Sequence, residues 1–164
     1  MSSSALEIRL VNEVLEQPLV QFFRALKRGG DDRYFHPHPL CDEEAKRLAH
    51  YSGKDLYYVL LEGNRVLGYG MLRGWDEGYE VPSLGIAIHP SVRGMGLSKL
   101  FMHFLHAAAK RKGATKITLK VHPENASAVT LYKELGYSFE SESGGQLVGF
   151  VNLNDDCKGN GKGK

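Results

Sequence analysis

The chain has little that would tie it to a metal, a membrane or an oxidising compartment. Only two of its 164 residues are cysteines, Cys41 and Cys157, and they lie far apart. No paired spacing suggests zinc or a redox motif, so two free thiols in a reducing cytosol are the expectation. No run approaches eighteen apolar residues, and residues 1–9 lack a basic stretch leading into an apolar one. Neither a membrane span nor a secretion signal is therefore expected. Charge of one sign is scarce too: 21 Lys and Arg stand against 19 Asp and Glu, and without residues 155–164 the balance is 18 to 17. Such near neutrality gives no reason to expect nucleic acid or a lipid surface as partner. With 42% hydrophobic and 24% charged residues the composition is that of an ordinary globular protein, long enough to bury a core. One domain over 1–154 and a flexible Gly/Lys-rich tail over 155–164 are expected.

Periodicity fills in the order of elements. Leu6, Ile8 and Leu10 alternate and predict a strand over 6–11. Pro18 suits a first helical turn, Leu19, Phe22, Phe23 and Leu26 follow at helical spacing, and Gly29-Gly30 stops the run. Prolines at 37 and 39 exclude helix over 34–40. Asp42 is the expected N-cap of a short helix reaching Tyr51. Strands over 56–61 and 66–72 flank the hairpin signal Glu62-Gly63-Asn64-Arg65, and a loop over 74–82 leads into a strand over 83–89. Leu97, Phe101, Phe104, Leu105 and Ala108 mark an amphipathic helix closed by Gly113. A strand over 116–121, a helix behind Asn125 with Ala128, Leu131, Tyr132 and Leu135 inward, and strands over 137–140 and 147–153 complete the chain. This order predicts an α/β mixed sheet with helices on its faces, not a regular βαβ repeat.

One segment carries an evident chemical signal. Arg93-Gly94-Met95-Gly96-Leu97-Ser98 lies between a predicted strand and helix. Glycines let backbone N–H groups approach an anion, the helix start adds unpaired amides and a positive dipole end, and Arg93 and Lys99 add charge. A plain strand-to-helix turn that needs glycine for its angles explains the loop equally well. A nucleoside-triphosphate loop is absent, and a dinucleotide fingerprint fails because Lys99 stands where the third glycine belongs.

The run from Leu84 to Phe139 resembles the GNAT superfamily of acyl-CoA-dependent N-acyltransferases. The resemblance rests on Arg93-Gly94-Met95-Gly96-Leu97-Ser98, on Ile86-Ala87-Ile88-His89-Pro90 before it, and on Asn125-x-x-Ala128-x-x-Leu131-Tyr132-x-x-Leu135-Gly136-Tyr137 after it. Ser98 departs from the family's Gly or Ala but is small. The resemblance implies a mostly antiparallel sheet of about seven strands, splayed between the fourth and fifth, with about four helices. It implies acetyl-CoA in the split: Ile86, Ala87 and Ile88 along the pantetheine, Arg93 through Lys99 around the pyrophosphate, and Asn125, Ala128 and Tyr132 against the cofactor. Tyr132 would protonate the departing sulfur, with no cysteine nucleophile and no metal.

On the acceptor side Glu80 first and Glu77 second are the candidate bases, because they precede the central strand. Asp76 would attract a cationic amine, and Trp75, Tyr79, His36 and His38 would wall a small-molecule pocket. Each also has a plainer reading as a solvated or packing residue, as Asn125 has as an N-cap. The implied activity is a cytoplasmic N-acetyltransferase, monomeric or homodimeric, acting on a small-molecule amine such as an amino sugar or amino-acid derivative. A protein N-terminal or lysine acetyltransferase and a non-catalytic acyl-CoA-binding module are the alternatives.

Overall fold

The computed structural model describes residues 5–35 and 37–154; His36, Cys157 and the expected tail lie outside the described residues. Seven strands form one sheet in the order β1-β2-β3-β4-β5-β7-β6. They are β1 (Leu6–Leu10), β2 (Leu56–Glu62), β3 (Arg65–Arg73), β4 (Ser83–Ile88), β5 (Lys116–Val121), β6 (Ser138–Ser143) and β7 (Gln146–Asn152). Four helices accompany them: α1 (Glu16–Arg28), α2 (Asp42–Ala49), α3 (Leu97–Arg111) and α4 (Ala126–Glu134). Every strand pairing is antiparallel except β4 with β5, which is parallel across the α3 crossover.

The central strands β2 and β3 are buried on both faces, and the sequence shows why. Along β2, Tyr57, Val59 and Leu61 join the core under α1 and α2, while Leu56, Tyr58 and Leu60 belong to the core under α3 and α4. A strand covered on both sides reads as a nearly unbroken apolar run. Gly70 on β3 serves close packing: a Cβ there would meet Phe101 Cζ at 2.8 Å and Leu105 Cδ1 at 2.9 Å, so α3 could not sit where it does above a larger residue.

One cap differs from its expectation. Cys41 holds the N-cap position of α2 without a side-chain bond, and Asp42 is the first helical residue. The Asp42 carboxylate is engaged instead by Arg24 on α1, at 3.1 and 2.5 Å, which ties the two helices at the surface. Among the described residues no helix is long and apolar enough to cross a membrane.

Candidate functional site

The site begins with a strand pair that fails to stay together. β4 and β5 share a single register pair, Ser83 with Thr118, supported by Thr118 N–H donating to Pro82 O at 3.0 Å. Beyond it the strands diverge, and a cavity of about 990 Å³ opens in the split.

Pairing with β3 decides which backbone groups face that opening. His89 N–H donates to Leu67 O at 2.7 Å, and the register runs Tyr69 with Ala87 and Met71 with Gly85. Hydrogen-bonded pairs alternate along an antiparallel ladder. Residues 85, 87 and 89 therefore spend their main-chain groups on β3, and those of Leu84, Ile86 and Ile88 turn toward the split. Ile88 O is already engaged there by the Arg93 guanidinium at 3.2 Å.

At one end of the split lies the glycine loop. Gly94 and Gly96 have φ of +76° and +80°, which a side chain rarely adopts, and nothing lies within 4 Å of where a Cβ would stand on either. No main-chain N–H from Gly94 to Lys99 donates to any described residue, and α3 has no side-chain N-cap bond. A row of free amides beside the start of a fifteen-residue helix suits an anion such as a pyrophosphate. Gly94, Ser98 and Arg93 line the cavity; Met95, Gly96, Leu97 and Lys99 do not, and Met95 is 71% exposed. Arg93 is not free, because it pairs with Asp31 at 2.6 Å. The second oxygen of Asp31 is buried without a partner.

The opposite wall comes from α4. Asn125 takes the N-cap position but makes no capping bond with its side chain, which accepts only from Ser127 Oγ at 3.4 Å. It therefore remains available to the cavity it lines, as do Ala128 and Tyr132. Tyr132 is 8% exposed, and burial pushes its phenol up to about 12. Its hydroxyl makes no hydrogen bond to a described residue. The phenol is thus a protonated donor held in the split with nothing yet to donate to.

The acceptor side sorts the remaining candidates. Glu77 and Tyr79 line the cavity, with Tyr34, Phe35 and Arg73, which sequence reasoning missed because no motif marks them. Glu80 is exposed and lies outside the lining. Within the loop, Glu77 N donates to Gly74 O at 3.2 Å and Tyr79 N to Gly74 O at 2.9 Å. His38 is not brought to the cavity. It packs against Phe23, Phe35 and Tyr69, with Nδ1 at 2.8 Å from Pro39 O and Nε2 at 2.9 Å from the Tyr69 hydroxyl. Nδ1–H donating to the carbonyl leaves Nε2 to accept from Tyr69, and burial lowers its pKa, so the ring is held neutral. Trp75 and Asp76 also lie away from the lining: Lys112 Nζ sits 4.4 Å over the indole, and Asp76 accepts from the Tyr51 hydroxyl and from Lys54 N.

Asp55 anchors the start of the 74–82 loop. Its Oδ1 accepts from the amides of Gly74, Trp75 and Asp76 at 3.0, 2.9 and 3.3 Å. Asp55→Ala leaves three amides without their acceptor, an expected cost of about 1–3 kcal/mol. Thermal denaturation should show a lowered midpoint, and a midpoint equal to wild type would mean that water replaces the carboxylate.

Known proteins resemble the chain in sequence and in fold. The model of the acetyltransferase (GNAT) family matches residues 21–137. The N-terminal acetyltransferase B complex catalytic subunit naa20 of Schizosaccharomyces pombe is 31% identical over 75 residues, covering 44% of this chain and 42% of that protein. Curated relatives are thus matched over about two fifths of their length. In fold, the GNAT domain of S. lividans PAT superposes with a TM-score of 0.78 at 13% identity, covering 90% of each chain. PaiA N-acetyltransferase from Thermoplasma acidophilum, solved in complex with coenzyme A, gives 0.71 at 15% identity over 90% of this chain and 99% of its own.

Proposed function

Since the chain belongs to the acetyltransferase (GNAT) family, we propose that residues 1–154 form a single N-acetyltransferase domain that moves the acetyl group of acetyl-CoA directly to a primary amine of a small molecule. The observation that carries this reading is the split itself: free amides at one end, outward-facing main chain of Ile86 and Ile88 along one wall, and a buried phenol on the other. When bound, acetyl-CoA supplies an activated acetyl thioester. The amides of 94–99 would hold its pyrophosphate, and the main chain of Ile86 and Ile88 would pair with the pantetheine arm. Ala87 contributes small bulk, since its main-chain groups are given to β3.

An amine must lose its proton before it attacks. Glu77 would take that proton directly or through one water; its position in the cavity lining favours it over Glu80. The N–H of Ile88 faces the split and is a donor for the developing negative oxygen. Tyr132 then gives its proton to the departing sulfur. The aromatic walls Tyr34, Phe35 and Tyr79 favour a small acceptor over a protein N-terminus, although the naa20 relative is named as an N-terminal acetyltransferase subunit.

Thiol release from acetyl-CoA, measured across amino sugars, amino-acid amides and peptides with free N-termini or lysines, tests the assignment. Small amines should turn over at least about tenfold faster in kcat/KM than peptides, roughly the value of one well-used pocket contact. Turnover confined to peptides would replace the small acceptor, and CoA binding without turnover of any amine would make the protein a sensor. Glu77→Gln should lower turnover most near neutrality and less at high pH, where free amine is abundant. Glu80→Gln should stay near wild type.

A further inference from the structure

A second concave surface lies away from the split, between α1 and the turn joining β2 to β3. It encloses about 550 Å³ and is walled by Pro18, Phe22, Arg28, Arg65, Val66 and His89. Nothing in the acetyl-transfer reading uses it. Among the described residues neither Arg28 nor Arg65 forms an ion pair. Glu62 is the one carboxylate on the wall; it is exposed at the end of β2 and pairs with neither.

The third donor is aimed by a relay. Arg65 donates to Ser91 Oγ at 2.6 Å, and Ser91 gives both its N–H and its hydroxyl to His89 Nδ1, at 3.1 and 2.9 Å. With Nδ1 occupied as acceptor, the ring proton of neutral His89 resides on Nε2, which has no described partner. Besides burial, the groups that set the field at this ring are Arg65, Arg93 and Arg28, which disfavour its protonation, and Asp31, which favours it. Asp31 and Arg93 neutralise each other, so the uncompensated field comes from the two groove arginines.

We propose that this groove is an anion-binding site, separate from the cofactor cavity, that takes a phosphate monoester with an apolar body. Two unpaired guanidiniums and an oriented N–H match the three acceptor oxygens and near-double charge of a phosphate monoester. The groove follows α1 from Pro18 to Arg28, about 15 Å at the helical rise, which is longer than orthophosphate needs. Pro18, Phe22 and Val66 supply an apolar wall for the remainder of the ligand. The ring takes part as its neutral Nε2–H tautomer, because a second proton on Nδ1 would face the Ser91 N–H.

Proton–nitrogen spectra of the histidine rings, followed during titration at constant ionic strength, provide the test. Sulfate, orthophosphate and phenyl phosphate are the probes; sulfate does not titrate between pH 6 and 8. Saturable shifts of the His89 ring are expected with all three, phenyl phosphate binding about tenfold or more tightly than sulfate. The Arg28→Gln/Arg65→Gln double variant changes two exposed side chains and should keep its acetyl transfer while losing at least tenfold in affinity. Retained affinity in that variant, or shifts that never saturate, would overturn the proposal. So would loss of the sulfate response when CoA is added, because the ion would then have been in the glycine loop. Equal affinity for sulfate and phenyl phosphate would remove the ester and its apolar body from the assignment.

Discussion

Tyr132→Phe should cost between about ten- and a thousandfold in turnover, the range of a lost general acid, while leaving the fold intact. The ring would stay, and it is the ring that packs, 5.7 Å from Tyr137 and 8% exposed. The hydroxyl makes no hydrogen bond to a described residue, so removing it breaks no contact within the protein. Burial holds the phenol near 12, well above neutrality, so it carries its proton throughout an ordinary assay and adds no limb of its own to the pH profile below about pH 11. A thiolate leaving into a site poor in water needs that proton more than one leaving into bulk solvent. The checks are turnover at saturating substrates, CoA affinity by calorimetry and the denaturation midpoint. A fall in the first alone assigns the hydroxyl to chemistry. Unchanged turnover makes the phenol a packing group and leaves sulfur protonation to water. A fall in all three would place its role in the fold.

The sequence announces Tyr132 and the glycine loop because each sits in a local pattern: helical spacing behind Asn125 for one, a glycine-rich strand-to-helix turn for the other. Strand β5 is read to its observed bounds for a similar reason, with Ile117, Leu119 and Val121 alternating inward. The parity of β4 is different. That Ile86 and Ile88, and not Ala87, turn their main chain to the split follows from registration against β3, a property of two strands that neither carries alone. The acceptor loops are harder still. His38 sits in a Pro-rich segment that suggests an exposed side chain, yet Phe23, Phe35 and Tyr69 close over it from other elements. Asp76 resembles an acidic recognition group and is engaged by Tyr51 and Lys54. Glu77 and Glu80 are three residues apart on a loop without period, so which of them reaches the cavity is set by how the loop folds and not by spacing. Arg93 shows the same limit: its position in the motif is legible, its pairing with Asp31 from the short turn after α1 is not.

A second large loss is expected at Gly96, where Gly96→Asp and Gly96→Asn together separate charge from shape. The residue stands at φ of +80° as the N-cap of α3, and no atom lies within 4 Å of a Cβ placed there. Left-handed backbone disfavours side chains by roughly 1–2 kcal/mol, but Asn and Asp tolerate it better than most, and the two are nearly the same size. Strain and bulk are therefore common to both variants. What differs is one negative charge beside the free amides of 94–99. Against a phosphate about 4 Å away, that charge costs on the order of 4 kcal/mol at the effective dielectric of a protein surface and about 1 kcal/mol in bulk water. Gly96→Asp should then lose about a hundredfold or more in CoA affinity relative to Gly96→Asn, with equal denaturation midpoints. Part of wild-type affinity should also fall as salt rises from 0.1 to 1 M, because the Debye length shrinks from about 10 to 3 Å. Calorimetry on the two variants decides the point: equal CoA affinity would mean that no phosphate approaches the start of α3, and the free amides would have to be explained as those of an ordinary turn.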